Sequence, residues 1–130
     1  MLIQTPVSLG EVIDKITILE IKQDNISDAD KLKNITTELV QLQQVIEQSL
    51  TEQQLVQLQE PKQRLREINQ SLWNIEDDIR DCERQQSFGE TFIELARSVY
   101  FTNDKRAAVK KEINLAFGSE LIEEKSYQAY

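Results

Sequence analysis

The sequence predicts an all-α protein, an elongated helical bundle built on an antiparallel coiled-coil hairpin, and three observations predict it. The 130 residues include only three Gly and two Pro, while Gln, Glu, Leu, Ile and Lys, which tolerate the helix well, are abundant. Apolar residues recur at alternating steps of three and four along two long segments, the heptad seam of a helix that needs a partner helix. Helix start and stop signals punctuate the chain between these segments. The length suits one domain, 1–130.

Pro6, Ser8 and Glu11 form the first start signal. S-L-G-E reads as a capping box, in which the Ser8 hydroxyl and the Glu11 carboxylate satisfy backbone donors reciprocally. A first helix is expected over about 9–25. Its apolar residues Leu9, Val12, Ile13, Ile16, Ile18, Leu19 and Ile21 cover more than one stripe, as in a helix touched on several sides. Ser27, followed by Asp28 and Asp30, caps a second helix over 28–48, whose acidic first turn suits the helix dipole. Leu32, Ile35, Leu39, Leu42 and Ile46 form its seam. Thr51 with Gln54 is another capping box, opening a short segment over 52–59, and Pro61 suits the first turn of a new helix. The seam then returns over 61–86 as Leu65, Ile68, Leu72, Ile75, Ile79 and Cys82.

Ser87 and Gly89 end that helix, and Phe88, Phe92, Leu95, Ala96 and Val99 start the next, over 89–101. VYFTNDKRAAVKK then interrupts the stripe, which resumes at Val109, Ile113 and Ala116 in a helix over 103–117 that Gly118 stops. The tail 118–130 fits either a short helix or an extended strap. The two long heptad helices are expected to pack against each other, with the terminal helices completing the bundle. Because they outreach the terminal helices, some seam surface is left for another chain, so a homo-oligomer, most simply a dimer, is expected.

Composition narrows the function. Lys plus Arg number 15 against 23 Asp plus Glu, a net charge of −8 that repels phosphate backbones and anionic lipid; no nucleic-acid partner is expected. The absence of His removes imidazole bases, ligands and pH switches. Cys82 is alone, which rules out an internal disulfide or a Cys-rich zinc site and is in keeping with a cytoplasmic protein. No basic segment precedes an apolar run at the N-terminus, and no stretch approaches the roughly 18 apolar residues of a membrane span. Neither export nor membrane insertion is expected.

The stretches PVSLGEVIDKITILEIK, LWNIEDDIR, FIELARSVYFTNDKRAAVKKEIN and GSELIEEKSY together resemble a bacterial and phage-encoded family of uncharacterised proteins, the domain of unknown function numbered 6165. The resemblance touches both ends of the chain, while the Gln-rich middle, about 40–63, adds nothing to it. It implies a soluble, self-contained domain and assigns no activity and no site residues.

Four constellations offer chemistry. In the polar gap, Arg97, Asn103, Asp104, Lys105, Arg106 and Lys110 are ligand-binding candidates, a small basic notch able to hold a phosphate or carboxylate. If the helix breaks there, Thr102 or Asn103 is simply an N-cap and Asp104 its acidic first turn. If it is continuous, Thr102 and Arg106 fall on the seam, and a buried Arg needs a carboxylate, for which Glu76, Asp77, Asp78, Asp81 and Glu83 are candidates. Charged helices pair by default, which favours a structural reading. Trp73 lies off its seam at heptad position b, one heptad from Arg66 and from Arg80; the three are interaction-surface candidates, unless Trp73 is covered within the fold. Glu11 with Asp14, Asp77 with Asp81 and Glu120 with Glu123 have the spacing of magnesium ligands, but such pairs arise freely in so acidic a chain, and no metal or cofactor is assigned. Cys82 reads as a small core hydrophobe. A non-enzymatic interaction or assembly module, binding itself or a protein partner, fits these features best; a module for a phosphate or nucleotide-sugar is the alternative, with a magnesium-dependent nucleotide hydrolase behind it.

Overall fold

A computed structural model describes residues 1–130 as four helices and no strand: α1 (Leu9–Asn25), α2 (Ala29–Ser49), α3 (Glu52–Arg84) and α4 (Glu90–Ala116). The fold is an all-α helical bundle. Its centre is α1, which packs against each of the other three helices, while α3 and α4 pack along one another. Ile13, Ile16 and Leu19 of α1 meet Ile35, Leu39 and Ile46 of α2, Leu58 and Leu65 of α3, and Val109 and Ile113 of α4 in one apolar cluster. Burying each such side chain contributes about 1.5–3 kcal/mol relative to leaving it in water. Apolar residues on several faces of α1 produce this central position, because three neighbours need three faces.

The two heptad segments do not pair chiefly with each other. α2 lies on α1 and α3 lies along α4, because α1 offers a broader apolar surface than a two-residue seam. Leu39 is buried accordingly, while Leu42, Leu72 and Ile75 are half-buried.

Both expected breaks are absent. α3 is a single helix of 33 residues with Pro61 inside it, about 50 Å long at the rise of an α-helix. A proline within a helix removes one backbone hydrogen bond and costs about 3 kcal/mol. Here Leu55, Leu58 and Leu65 keep their face toward the core on both sides of Pro61, and that continuous burial decides the outcome. α4 likewise runs unbroken through Thr102, because Arg106 finds a carboxylate and can remain on the packed face.

Caps fix the ends. Thr51 and Gln54 form the expected reciprocal box, with bonds of 2.9 and 3.2 Å. At α1 only half of the expected box forms: Ser8 Oγ accepts from the Glu11 backbone N–H at 3.3 Å, and the Glu11 carboxylate turns instead to Lys110. At α2 the cap is Asp28, which accepts from the Lys31 N–H at 2.9 Å, one residue after the expected Ser27. α3 and α4 close on the same backbone device: Ser87 N–H donates to the Cys82 carbonyl and Ser119 N–H to the Asn114 carbonyl, around Gln86 at φ 52° and Gly118 at φ 66°. Beyond Gly118 the chain is an extended strap with no helix.

Candidate functional site

The functional question centres on one face of α4 and what lies over it. α1 brings Gly10 so close to α4 that a Cβ there would stand 2.5 Å from the Lys110 carbonyl oxygen. Its backbone N–H donates to Asn114 Oδ1 at 2.7 Å. One turn further along α1, Asp14 is buried and accepts from Arg106 Nε at 2.9 Å and Nη2 at 2.5 Å. Asn69 of α3 donates from Nδ2 to both Asp14 and Thr17, each at 2.9 Å. Three helices are therefore tied at one carboxylate, and a bidentate guanidinium fixes their register.

Lys110 stands beside this pair, itself buried, with Glu11 at 2.7 Å, Glu123 at 3.0 Å and Asp14 at 4.0 Å. Its ammonium occupies the point on which three carboxylates converge. Burial disfavours the charge, but the hydrogen bonds to Glu11 and Glu123 outweigh it and hold the Lys110 pKa above its ordinary value. The Arg106 pKa is raised as well, chiefly by its hydrogen bonds to Asp14. Lys110, with help from Lys125, holds Glu123 down at about 2.

Glu123 belongs to the strap, which returns along α4. Lys111 meets Glu124 at 3.1 Å, and the Tyr130 hydroxyl donates to Asp104. That hydrogen bond pushes the Tyr130 pKa up to about 12. The Tyr130 ring rests against Tyr100 and Phe101, with centroids at 5.3 and 4.8 Å. Beneath the strap lies a cleft of about 470 Å³ lined by Tyr100, Asn103, Asp104, Arg106, Ala107, Lys110 and the strap's Lys125, Tyr127 and Tyr130, among others.

Four of the six notch candidates, Asn103, Asp104, Arg106 and Lys110, line this cleft. The other two lie apart from it: Arg97 reaches over the Phe101 ring at 5.9 Å, and Lys105 lines a shallower depression with Arg64, Glu67 and Thr102. The carboxylate serving Arg106 comes from α1, not from the acidic run of α3. Periodicity along one helix cannot reveal that partner, although a lone Asp within the apolar run Val12 to Ile16 is a signal that it is held by something. Asn69, on the α3 core face beside Leu65, is a similar signal. The strap tyrosines carry no periodic signal at all.

The second candidate group is dispersed. Arg66 bridges Asp24 at 2.6 Å and Glu20 at 3.6 Å, tying α3 to α1. Arg80 is exposed near Glu76 at 3.7 Å. Trp73 is half-buried in an open cleft with Ile18, Ile21, Leu72, Val99 and Arg106. Cys82 is half-buried rather than in the core. No group of three or more acidic or Cys side chains is arranged to hold a metal ion, and no helix is long and apolar enough to cross a membrane.

Residues 3–130 match the family described as "Family of unknown function (DUF6165)". The chain belongs to this family. No curated protein and no solved structure matches it. Membership of DUF6165 thus extends over both the packed helices and the strap, and carries no activity with it.

Proposed function

We propose that this member of DUF6165 is a non-enzymatic assembly module, and that the part of the α3/α4 pair lying beyond α1 joins a second copy of the chain. One observation carries the reading: between Asn69 and Val109 no residue is buried. Leu72, Ile75, Ile79 and Cys82 on α3 and Phe92, Leu95 and Val99 on α4 keep the heptad seam but are only half-covered, and Ile93 is 54% exposed. Two helices cannot enclose a seam that three or four can, and a second pair packed on the first would complete a four-helix arrangement. The arm is read as an antiparallel coiled-coil hairpin, since α4 follows α3 after a short link and Arg64 near the start of α3 bridges Glu112 near the end of α4 at 2.8 Å.

Charge selects a second copy as the occupant. Asp77, Asp78 and Glu83 on the α3 side of the arm, and Glu90, Glu94, Arg97 and Lys105 on the α4 side, have no ion-pair partner within the chain. A two-fold arrangement that lays α3 of one copy on α4 of the other can set Arg97 and Lys105 against the acidic run Asp77, Asp78 and Glu83. A non-enzymatic role is supported by the lack of His and by the engagement of Asp14, Glu11 and Glu123 with Arg106 and Lys110.

Sedimentation equilibrium at tens of micromolar tests this. The expected species has twice the 15.1 kDa chain mass, and Ile93→Glu, a substitution at an exposed position, is expected to return it to the monomer with the helical circular dichroism unchanged. A wild-type chain that sediments only as the monomer overturns the reading, as does a dimer indifferent to Ile93→Glu.

A further inference from the structure

We propose that the cleft beneath the C-terminal strap binds an uncharged, polyhydroxylated ring, the chemistry of a carbohydrate. The cleft adjoins the arm surface, sharing Val99 with its seam, but is closed by the strap rather than by α3. At about 470 Å³ it falls within the ordinary range of small-molecule sites, roughly 300–1,000 Å³.

Charge decides against an anion. Each cation in the lining is already matched by a carboxylate of this chain: Arg106 by Asp14, Lys110 by Glu11 and Glu123, and Lys125 by Glu123 at 3.0 Å. Asp104 adds a negative charge at the rim. A phosphate entering here would have to displace an internal carboxylate and meet Asp104.

What remains uncommitted suits hydroxyl groups. The Asn103 side-chain amide nitrogen and the Tyr100 and Tyr127 hydroxyls make no hydrogen bond within the chain, Arg106 Nη1 makes only a 3.5 Å contact to Asn103 Oδ1, and one Asp104 oxygen has no donor. Both donors and acceptors are thus free in the lining, as a sugar's hydroxyls require, since each both gives and takes a hydrogen bond. The rings complete the match. Tyr127 is 80% and Tyr130 71% exposed although both line the cleft; Tyr130 packs against Tyr100 and Phe101 and Lys125 lies over one side of the Tyr127 ring, which leaves exposed ring surface for the C–H side of a pyranose, chiefly on Tyr127. Ala107 on the α4 side of the lining takes up little of the space.

The test is a titration of the ¹⁵N-labelled chain with glucose, N-acetylglucosamine, maltose, galacturonate and inorganic phosphate, followed by NMR. At least one neutral sugar is expected to shift Asn103, Asp104, Ala107 and Tyr127 saturably, with galacturonate weaker than the neutral sugar that binds and phosphate without effect at these positions. Maltose against glucose distinguishes a chain of sugars from a single ring. Tyr127→Ala is expected to weaken binding about tenfold, the effect of one stacked ring, and Ala107→Phe to abolish it by filling the space. The thermal midpoint of each variant and retention of the Tyr130 strap resonances distinguish lost binding from lost structure. Silence toward all three neutral sugars overturns the proposal; so does preferential binding of phosphate or galacturonate, or undiminished sugar binding in a folded Ala107→Phe variant.

Discussion

The base and the arm of this molecule are made of the same apolar residue types and bury them to different depths. At the base, Ile13, Leu65 and Ile113 are 1%, 0% and 0% exposed; along the arm, Leu72, Ile75, Ile79 and Leu95 are only half-covered. Helix number accounts for the difference. α1 spans 17 residues and α3 spans 33, about 25 Å against 50 Å, so α1 and α2 support only part of the α3/α4 pair. The base encloses its apolar residues and pairs the buried Asp14 and Lys110 within one chain, leaving Glu20 Oε1 as its one buried oxygen without a hydrogen bond, whereas the arm leaves its seam half-covered and several charges unpaired. Stability is therefore expected to reside at the base and association on the arm.

The largest expected effect comes from removing Arg106. Arg106→Met leaves the buried Asp14 carboxylate with Asn69 and a Lys110 ammonium 4.0 Å away. Breaking one side of a buried pair costs about 3–5 kcal/mol, a large share of the stability of a domain this size. The midpoint of urea unfolding should fall accordingly, and Arg106→Lys should restore only part, since an ammonium cannot form the two parallel bonds of a guanidinium. If Arg106→Met were neutral, the base would not be organised around this pair.

Next in size is a matched pair of truncations. Ile113→Ala at the base is expected to cost about 2–5 kcal/mol, because a rigid core cannot close over the void. Ile79→Ala on the arm removes the same atoms from a half-exposed site with water already beside it and should cost about 1 kcal/mol or less in the monomer. Equal costs would erase the distinction between the two regions. A larger cost for Ile79→Ala at high than at low protein concentration would sharpen it, by showing that association covers this residue.

The same contrast explains how much was legible beforehand. The all-α class and the many-sided apolar surface of α1 follow from residues whose neighbours along the chain reveal their environment, such as Ile13, Ile16 and Leu39, whereas the central place of α1 does not, because the heptad seams point to each other first. Local rules place a break at Pro61 and leave one open at Thr102, because they price a proline or a polar gap without knowing what lies opposite. On either side of Pro61 the core-facing Leu58 and Leu65 keep the helix continuous, and opposite Arg106 stands Asp14, 92 residues earlier. Asn103, Asp104, Arg106 and Lys110 line one cleft, and their grouping is legible because polar clustering along one helix is visible in sequence. Val99, Tyr100 and Ala107 of α4 and the strap supply the rest of the cleft, and the strap's Tyr127 and Tyr130 are placed by ion pairs and ring contacts that no periodicity encodes.

Acid provides a third, smaller perturbation, confined to the strap. Glu123 titrates at about 2 rather than its ordinary 4.5, first because of Lys110 and then Lys125. Its folded-state pKa is depressed, so its contribution to strap docking is complete above pH 4.5 and lost as the pH falls from there toward 2. The tyrosine ring resonances of the strap should move over this interval, and Glu123→Gln should place them near their acid positions at neutral pH. A strap that is already released by pH 5 would mean that the Lys110 contact does not hold it.

The smallest effect is expected at the tip of the arm. Gln86 adopts φ 52° to close α3, a left-handed conformation in which a side chain crowds its own carbonyl. The same closure at the base uses Gly118 at φ 66°, where no such crowding arises. Gln86→Gly relieves the strain, while the greater freedom of glycine in the unfolded chain takes back part of the gain. The loss of the Gln86 Nε2 bond to the Glu83 carbonyl, at 2.9 Å and exposed, removes little. A net gain of about 0.5 kcal/mol is therefore expected, read best as slower amide exchange of Ser87 and its neighbours rather than as a shift of the global midpoint, because the tip opens without unfolding the base. If the substitution raised the global unfolding midpoint by the full amount, arm and base would unfold as one unit, and the division of labour between them would have to be read as one of surface alone.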